Sequence, residues 1–172
     1  MSLKRLELGA GHKPQPGYIH MDAKKLPHME LVGDIRRIPM PDFSFDEVYA
    51  HWVLEHFAYQ EIPDVLKEWR RVLKVGGLLH LVTNNGAAHL KAFREGIINI
   101  HELNWMLFGL GLENKKGGGY SIEDLHKTIW TKGLVKHFFE PLFAKVEIEE
   151  TWKHRGSDGK LKCPGIIIKA YR

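Results

Sequence analysis

Apolar positions recur at two different periods along this chain, and the change of period divides it. Up to residue 50 the apolar runs are short: LKRLEL (3–8), YIHMD (18–22), MELVGD (29–34) and FDEVYA (45–50) each read as a strand. Pro14, Pro16, Gly17 and Pro27 lie between them and prevent long helices, and PMPDFS (39–44) reads as a rigid polar link. In the next stretch, EIPDVLKEWRRVLKVGG, the apolar positions are Ile62, Val65, Leu66, Trp69, Val72 and Leu73, spaced by three or one, which predicts an amphipathic helix. Pro63 falls in its first turn, Lys74 near its end, and Gly76–Gly77 are the expected stop. LLHLV (78–82) is nearly all apolar, as suits a strand buried on both faces.

Beyond it, residues 86–112 form a helical region that Gly96 and Gly109 break in two. ENKKGGGYS (113–121) is the most loop-like stretch, a helix is expected from Thr131 to Phe143, and Lys145–Trp152 and Gly165–Tyr171 read as two strands joined by a hairpin-like return through HRGSDGKLKCPG (154–165). Strands alternating with helices imply an α/β sheet, and the last two strands add an antiparallel element. The first half is poor in helices, so one sheet face there must be covered in another way. The 172 residues suit a single domain over 1–172.

Composition changes this picture little. Hydrophobic content of 44% permits a full core, and a net charge of +4 reads as a solvated surface. There is no apolar run long enough to span a membrane and no basic run with interleaved aromatics, so neither a membrane nor a nucleic acid is an expected partner. MSLKRLEL enters a strand at once, without the apolar block of a secretion signal, and Cys163 is the single cysteine; together these point to the cytoplasm. Nothing in the sequence decides for or against a homo-oligomer.

The stretch RLELGAGHKPQPGYIHMD (5–22) raises the chemical question. A strand, a glycine turn and a second strand ending in an acid open many nucleotide sites. Yet Gly11 and Asp22 are only eleven positions apart, too few for the helix that normally intervenes. Several ordered motifs resemble class I methyltransferases that use S-adenosylmethionine: LELGAG, Asp22, VGDIRRIPMPDFSFDEVYAHWVLEH, and LKEWRRVLKVGGLLHLVTNN with Val75 where Pro is usual. More narrowly, PGY directly after the first motif is similar to a short subgroup without the first helix. The resemblance implies a Rossmann-like, mostly parallel sheet with an antiparallel C-terminal strand pair, helices on both faces and a truncated first helix. It implies a cofactor-binding half over 1–85, an acceptor-side insertion with the glycine-rich loop over 86–130, and a closing helix and strands over 131–172. The missing helix dipole argues for S-adenosylmethionine, which has no phosphate, over a dinucleotide.

On this reading the main chain at Gly9, Ala10 and Gly11 approaches the cofactor closely, because glycine carries no Cβ. The resemblance implies Glu7 beneath the methionine end, Asp22 on the ribose hydroxyls, Asp34 and Ile35 bordering the adenine, and the His51 backbone at the methionine end. Where the acceptor must lose a proton, His56 and His126 are candidate bases. Members carry His where this chain has Trp52, so no such role is assigned there. His51 and His56 are five apart and share no helix face, and neither a Cys pair nor His-Glu-x-x-His occurs, so no metal site is expected. Trp69 is expected in the core, and Trp105 and Trp130 either pack there or stack on an acceptor. The resulting expectation is methyl transfer to a small-molecule acceptor, such as a sugar or related anion. A methyltransferase-fold partner protein without turnover and an NAD-type oxidoreductase are the rival readings.

Overall fold

A computed structural model describes residues 3–109, 125–152 and 162–172. The strands are β1 (Arg5–Leu8), β2 (Ile19–Asp22), β3 (Leu31–Val32), β4 (Phe45–His51), β5 (Leu73–Asn84), β6 (Lys145–Glu150) and β7 (Gly165–Tyr171). The helices are α1 (Ile62–Val72), α2 (Gly86–Arg94), α3 (Ile100–Phe108) and α4 (Lys132–Phe139), with 3₁₀ turns at Leu54–His56 and Tyr59–Glu61. The seven strands form one sheet in the order β3-β2-β1-β4-β5-β7-β6. All pairings from β3 to β5 are parallel, and β7 runs antiparallel to both β5 and β6. This is the expected Rossmann-like class with its antiparallel C-terminal pair.

Side-chain alternation sorts the sheet into two unlike faces. Register places Leu6, Val48, Leu79 and Ala170 in one row and Leu8, Ala50, Leu81 and Ile168 in the next, all essentially buried. α1 presents Ile62, Val65, Leu66, Trp69 and Val72 to this core, and α4 adds Val135, Phe138 and Phe139. Each such side chain contributes roughly 1.5–3 kcal/mol relative to exposure. Trp69 sits in the core as expected and donates its indole N–H to the Ile35 carbonyl at 3.0 Å.

The opposite face carries Glu7, Tyr49 and His80 in one row. Where a first helix would lie, the ten-residue connection from β1 to β2 packs over it without forming one. Gln15 donates its N–H to Glu7 at 2.7 Å, and the Tyr18 hydroxyl donates to Glu47 at 2.8 Å. A carboxylate and a phenol thus hold in place a segment whose prolines forbid a helix.

Several boundaries differ from expectation: β5 spans Leu73–Asn84 rather than 78–82, α4 ends at Phe139 rather than Phe143, and β6 ends at Glu150 rather than Trp152. α1 ends at Val72, short of Gly76–Gly77, because Leu73 is already paired with Phe45 in the sheet. β3 shrinks to two residues because only Met21↔Leu31 and Asp22↔Val32 pair. The helical region breaks where Gly96 predicts, and Asn99 caps α3 by accepting the amides of His101 and Glu102. The glycine-rich loop and most of the return before β7 lie outside the described residues. Among the described residues no helix is long and apolar enough to cross a membrane.

Candidate functional site

The strand order reverses between β1 and β4, and in open α/β sheets such a switch point leaves a crevice at the carboxyl ends of the strands. The chain leaves β1 at Gly9 with φ +64° and turns again at Gly11 with φ +51°. Gly9 donates its N–H to the Met21 carbonyl at 2.8 Å, which ties the turn to the tip of β2. A Cβ at Gly9 would fall 2.5 Å from Val53 Cγ2, so both its torsion and its space require glycine. Around Gly11 a Cβ would meet nothing closer than 4.0 Å, so there the torsion alone selects glycine.

Asp22, the last residue of β2, turns its carboxylate into the same crevice. Its two oxygens accept the N–H groups of Gly11 at 3.0 Å and Lys24 at 2.8 Å. A cleft of about 630 Å³ opens here, walled by Gly9, Gly11, Asp22, Asp34, Ile35 and His56 among others. At its far wall Arg36 joins Asp34 at 2.9 Å to Glu61 at 2.8 Å, and the guanidinium holds the Asp34 carboxyl below its ordinary range.

Three expected cofactor residues lie outside the lining of this cleft. Glu7 points to the opposite sheet face by strand alternation, under the β1–β2 connection, where burial pushes its carboxyl above the ordinary value. Ala10 is buried and does not line the cleft. His51 stands at the exposed end of β4 with its ring stacked on Tyr49.

Past β4 the chain turns through Trp52, a non-glycine residue at φ +56°, whose N–H donates to the Val82 carbonyl at 2.8 Å. Residues 125–131 then cross the Leu54–His56 turn. Lys127 and Thr128 both donate N–H groups to the Glu55 carbonyl, at 2.8 and 3.1 Å, and the Thr128 hydroxyl donates to the Phe57 carbonyl. Buried Asn84 pins the same segment by accepting the Trp130 N–H at 2.7 Å. The crossing brings two residues 70 positions apart together: the rings of His56 and His126 meet edge to face at 5.2 Å. Each directs Nδ1 at a backbone carbonyl, Leu125 for His56 and Met106 for His126, both at 3.2 Å. A carbonyl only accepts, so Nδ1 carries the hydrogen in each ring. Burial, then the neighbouring His56, keeps the His126 imidazole more acidic than usual.

Sequence reasoning passed over Glu55, which is fully buried between these rings and β5. One carboxylate oxygen accepts the Thr83 hydroxyl at 2.9 Å, while Oε1 has no partner among the described residues. Burial raises its pKa to about 7. A buried polar atom left unpaired costs about 1–3 kcal/mol, and more when charged, so this arrangement calls for an explanation. The available signal was a carboxylate inside the apolar WVLEHF run.

A second cavity of about 490 Å³ adjoins the first and is lined by Trp52, Trp105, Met106, His126, Lys162 and Cys163. Trp52 walls both spaces. Trp105 is partly exposed on this cavity, whereas Trp130 is wholly in the core. The two candidate bases therefore divide, with His56 on the first cleft and His126 on the second.

Residues 6–81 match the methyltransferase domain family. In fold the chain is similar to a SAM-dependent methyltransferase from Archaeoglobus fulgidus, with a TM-score of 0.66, 14% identity, and coverage of 99% of this chain and 87% of that one. It is similar also to the PH0226 protein from Pyrococcus horikoshii, with a TM-score of 0.64, 20% identity and coverage of 100% and 83%. A SAM-dependent methyltransferase from Methanosarcina mazei gives 0.63, 17%, and coverage of 99% and 92%. Identities this low establish the fold. No curated protein matches the sequence. The resemblance to methyltransferases thus rests on a family match over residues 6–81 and, beyond them, on likeness of fold.

Proposed function

From the methyltransferase match over residues 6–81 and the methyltransferase fold of the chain, we propose that this protein binds S-adenosylmethionine in the cleft at the tips of β1, β2 and β4 and methylates a small molecule held in the adjoining cavity. The observation that carries this reading is the meeting of the Gly9–Gly11 main chain with the Asp22 carboxylate on neighbouring parallel strands, beside open space. That pairing suits a nucleoside: a planar carboxylate accepts from vicinal ribose hydroxyls, and a bare main chain admits a flat, close-lying group. Asp34 and Ile35 would border the base. No helix lies between β1 and β2 to point its N-terminus at the turn, which suits a cofactor without phosphate.

The cofactor supplies a methyl group already activated on a sulfonium. What remains for the protein is alignment and the exclusion of water, and orientation alone can lower such a barrier by roughly 7–11 kcal/mol at best. Trp52, common to both spaces, and the crossing segment 125–131 hold the acceptor against the cleft. His126 stands in the acceptor cavity with Nδ1–H engaged, and a carboxylate acceptor there needs no base, because it carries no proton to lose. Lys162 on the same cavity favours an anionic acceptor, and a sugar acid or related small anion fits these groups. Titration calorimetry with S-adenosylhomocysteine tests the cofactor half of the proposal, and binding in the micromolar range is expected. No heat at millimolar ligand overturns it.

A further inference from the structure

Glu55, His56 and His126 each offer one ligand-type atom, and these three atoms lie within 4.8 Å of one another. We propose that this triad, at the junction of the cleft and the second cavity, binds a divalent transition-metal ion of the zinc type.

The donor set is the first argument. Two imidazoles and one carboxylate suit Zn²⁺ and its first-row neighbours, and suit magnesium or calcium poorly because those prefer oxygen. Three protein ligands also leave a coordination position for an outside oxygen, the pattern of sites that do chemistry.

The second argument is the orphaned oxygen. Glu55 is fully buried and its Oε1 has no partner among the described residues, while its other oxygen accepts the Thr83 hydroxyl at 2.9 Å. A buried carboxylate normally has every lone pair answered, and a cation placed between the histidines answers this one. Thr83 then acts as the outer partner that keeps the ligand aimed.

The third is the histidine tautomer. Both rings give Nδ1–H to main-chain carbonyls, as metal-bound histidines characteristically do to hold the ring and set its basicity. Distances agree in scale: bonds of about 2.0–2.1 Å in a tetrahedral site put ligand atoms about 3.4 Å apart. Separations of up to 4.8 Å therefore close with small side-chain rotations, while the Glu55 carbonyl, gripped by Lys127 and Thr128, keeps the backbones in place. The sequence hid this site because Glu55 and His56 are adjacent and His126 comes 70 positions later, a spacing no short motif describes.

The test uses the full chain, stripped with a chelator and titrated with Co²⁺. Its visible absorption reports imidazole and carboxylate ligation in a site of low coordination number, and Zn²⁺ competition gives the affinity. The expected result is about one ion per chain, with Glu55→Gln and His126→Ala each weakening binding by about tenfold or more. His101→Ala, on the exposed side of α3, leaves binding unchanged. S-adenosylhomocysteine binding and the far-UV spectrum of each variant show whether it is folded, and they report on the cofactor cleft separately from the metal. Should Glu55→Gln fail to fold, the half-buried His126 variant carries the test. No ligand-field absorption, or variants that bind Co²⁺ as tightly as the parent, overturns the proposal.

Discussion

The Gly11 amide and the Asp22 carboxylate are hydrogen-bonded at 3.0 Å across the tips of β1 and β2. One contact therefore shapes the glycine turn and orients the acid that faces the cleft. Asp22→Ala removes both the anchor and the acceptor. S-adenosylhomocysteine affinity is expected to fall about 10- to 100-fold, the worth of hydrogen bonds to a charged group. Asp22→Asn keeps the shape but gives up one accepting oxygen, so it falls between. Calorimetry checks both, and an undiminished affinity places the nucleoside elsewhere.

Gly9 is constrained twice, by φ +64° and by the 2.5 Å approach of Val53 to any added Cβ. Gly9→Ala is expected to cost roughly 1–2 kcal/mol for the left-handed torsion and 1–3 kcal/mol for the clash. Adding Val53→Ala removes only the second part, so the two substitutions are non-additive in chemical denaturation. Simple additivity would mean that Val53 is not the neighbour that enforces glycine.

The elements visible in the sequence were those with a strong period. α1 was legible because five apolar positions fall on one helical face, and the strands because short apolar runs sit between prolines and glycines. Its end was misread because pairing of Leu73 with Phe45 competes with helix propensity, and a long-range pairing leaves no local trace. The site followed the same rule. Gly9, Gly11 and Asp22 lie within one short segment and were found together. Glu7 was placed by resemblance near the cofactor, whereas strand alternation turns it to the other face. The Glu55–His56–His126 cluster depends on the 125–131 crossing, which is held by hydrogen bonds to Glu55 and Asn84 that no spacing announces.

β2 contains a protonation site of its own, beneath the β1–β2 connection. His20 directs Nδ1 at Glu30, 3.0 Å away, and Nε2 at the Gln15 carbonyl, 2.9 Å away, with Glu7 at 3.6 Å and the His28 ring edge-on. Both nitrogens face acceptors, so only the imidazolium satisfies both. Burial opposes the charge, but the Gln15 carbonyl, Glu30 and Glu7 outweigh it, and the pKa rises above 6.5. A raised folded-state value means the folded chain binds the proton more tightly. Its stabilisation is fully present below the unfolded pKa and is lost as pH rises through the folded one. The stability margin of the parent over His20→Gln should therefore be greatest near about pH 6 and shrink toward about pH 9 in urea titrations. A margin that is flat or grows with pH contradicts the doubly bonded ring.

Cys163 offers a way to watch the second cavity without knowing what enters it. Its thiol lies on that wall with Trp52, Trp105 and His126, and its sulfur is 3.9 Å from the His89 ring. Burial, and then the nearby Glu55 carboxylate, pushes its pKa up to about 12. Only the thiolate reacts with alkylating agents, so at about pH 8 the reaction should run some 10²- to 10³-fold slower than with an unburied thiol. The rate should climb steadily with pH without a plateau below about pH 11. Alkylation that is already fast and level at neutral pH would show the thiol to be solvated. Given the slow regime, a molecule seated in the cavity shields the sulfur and slows labelling further, while S-adenosylhomocysteine alone, held across Trp52 in the first cleft, leaves the rate nearly unchanged. Protection by a candidate anion that also raises the rate of methyl transfer would place acceptor and sulfur in the same space. Protection by the cofactor product alone would show instead that the two cavities are one.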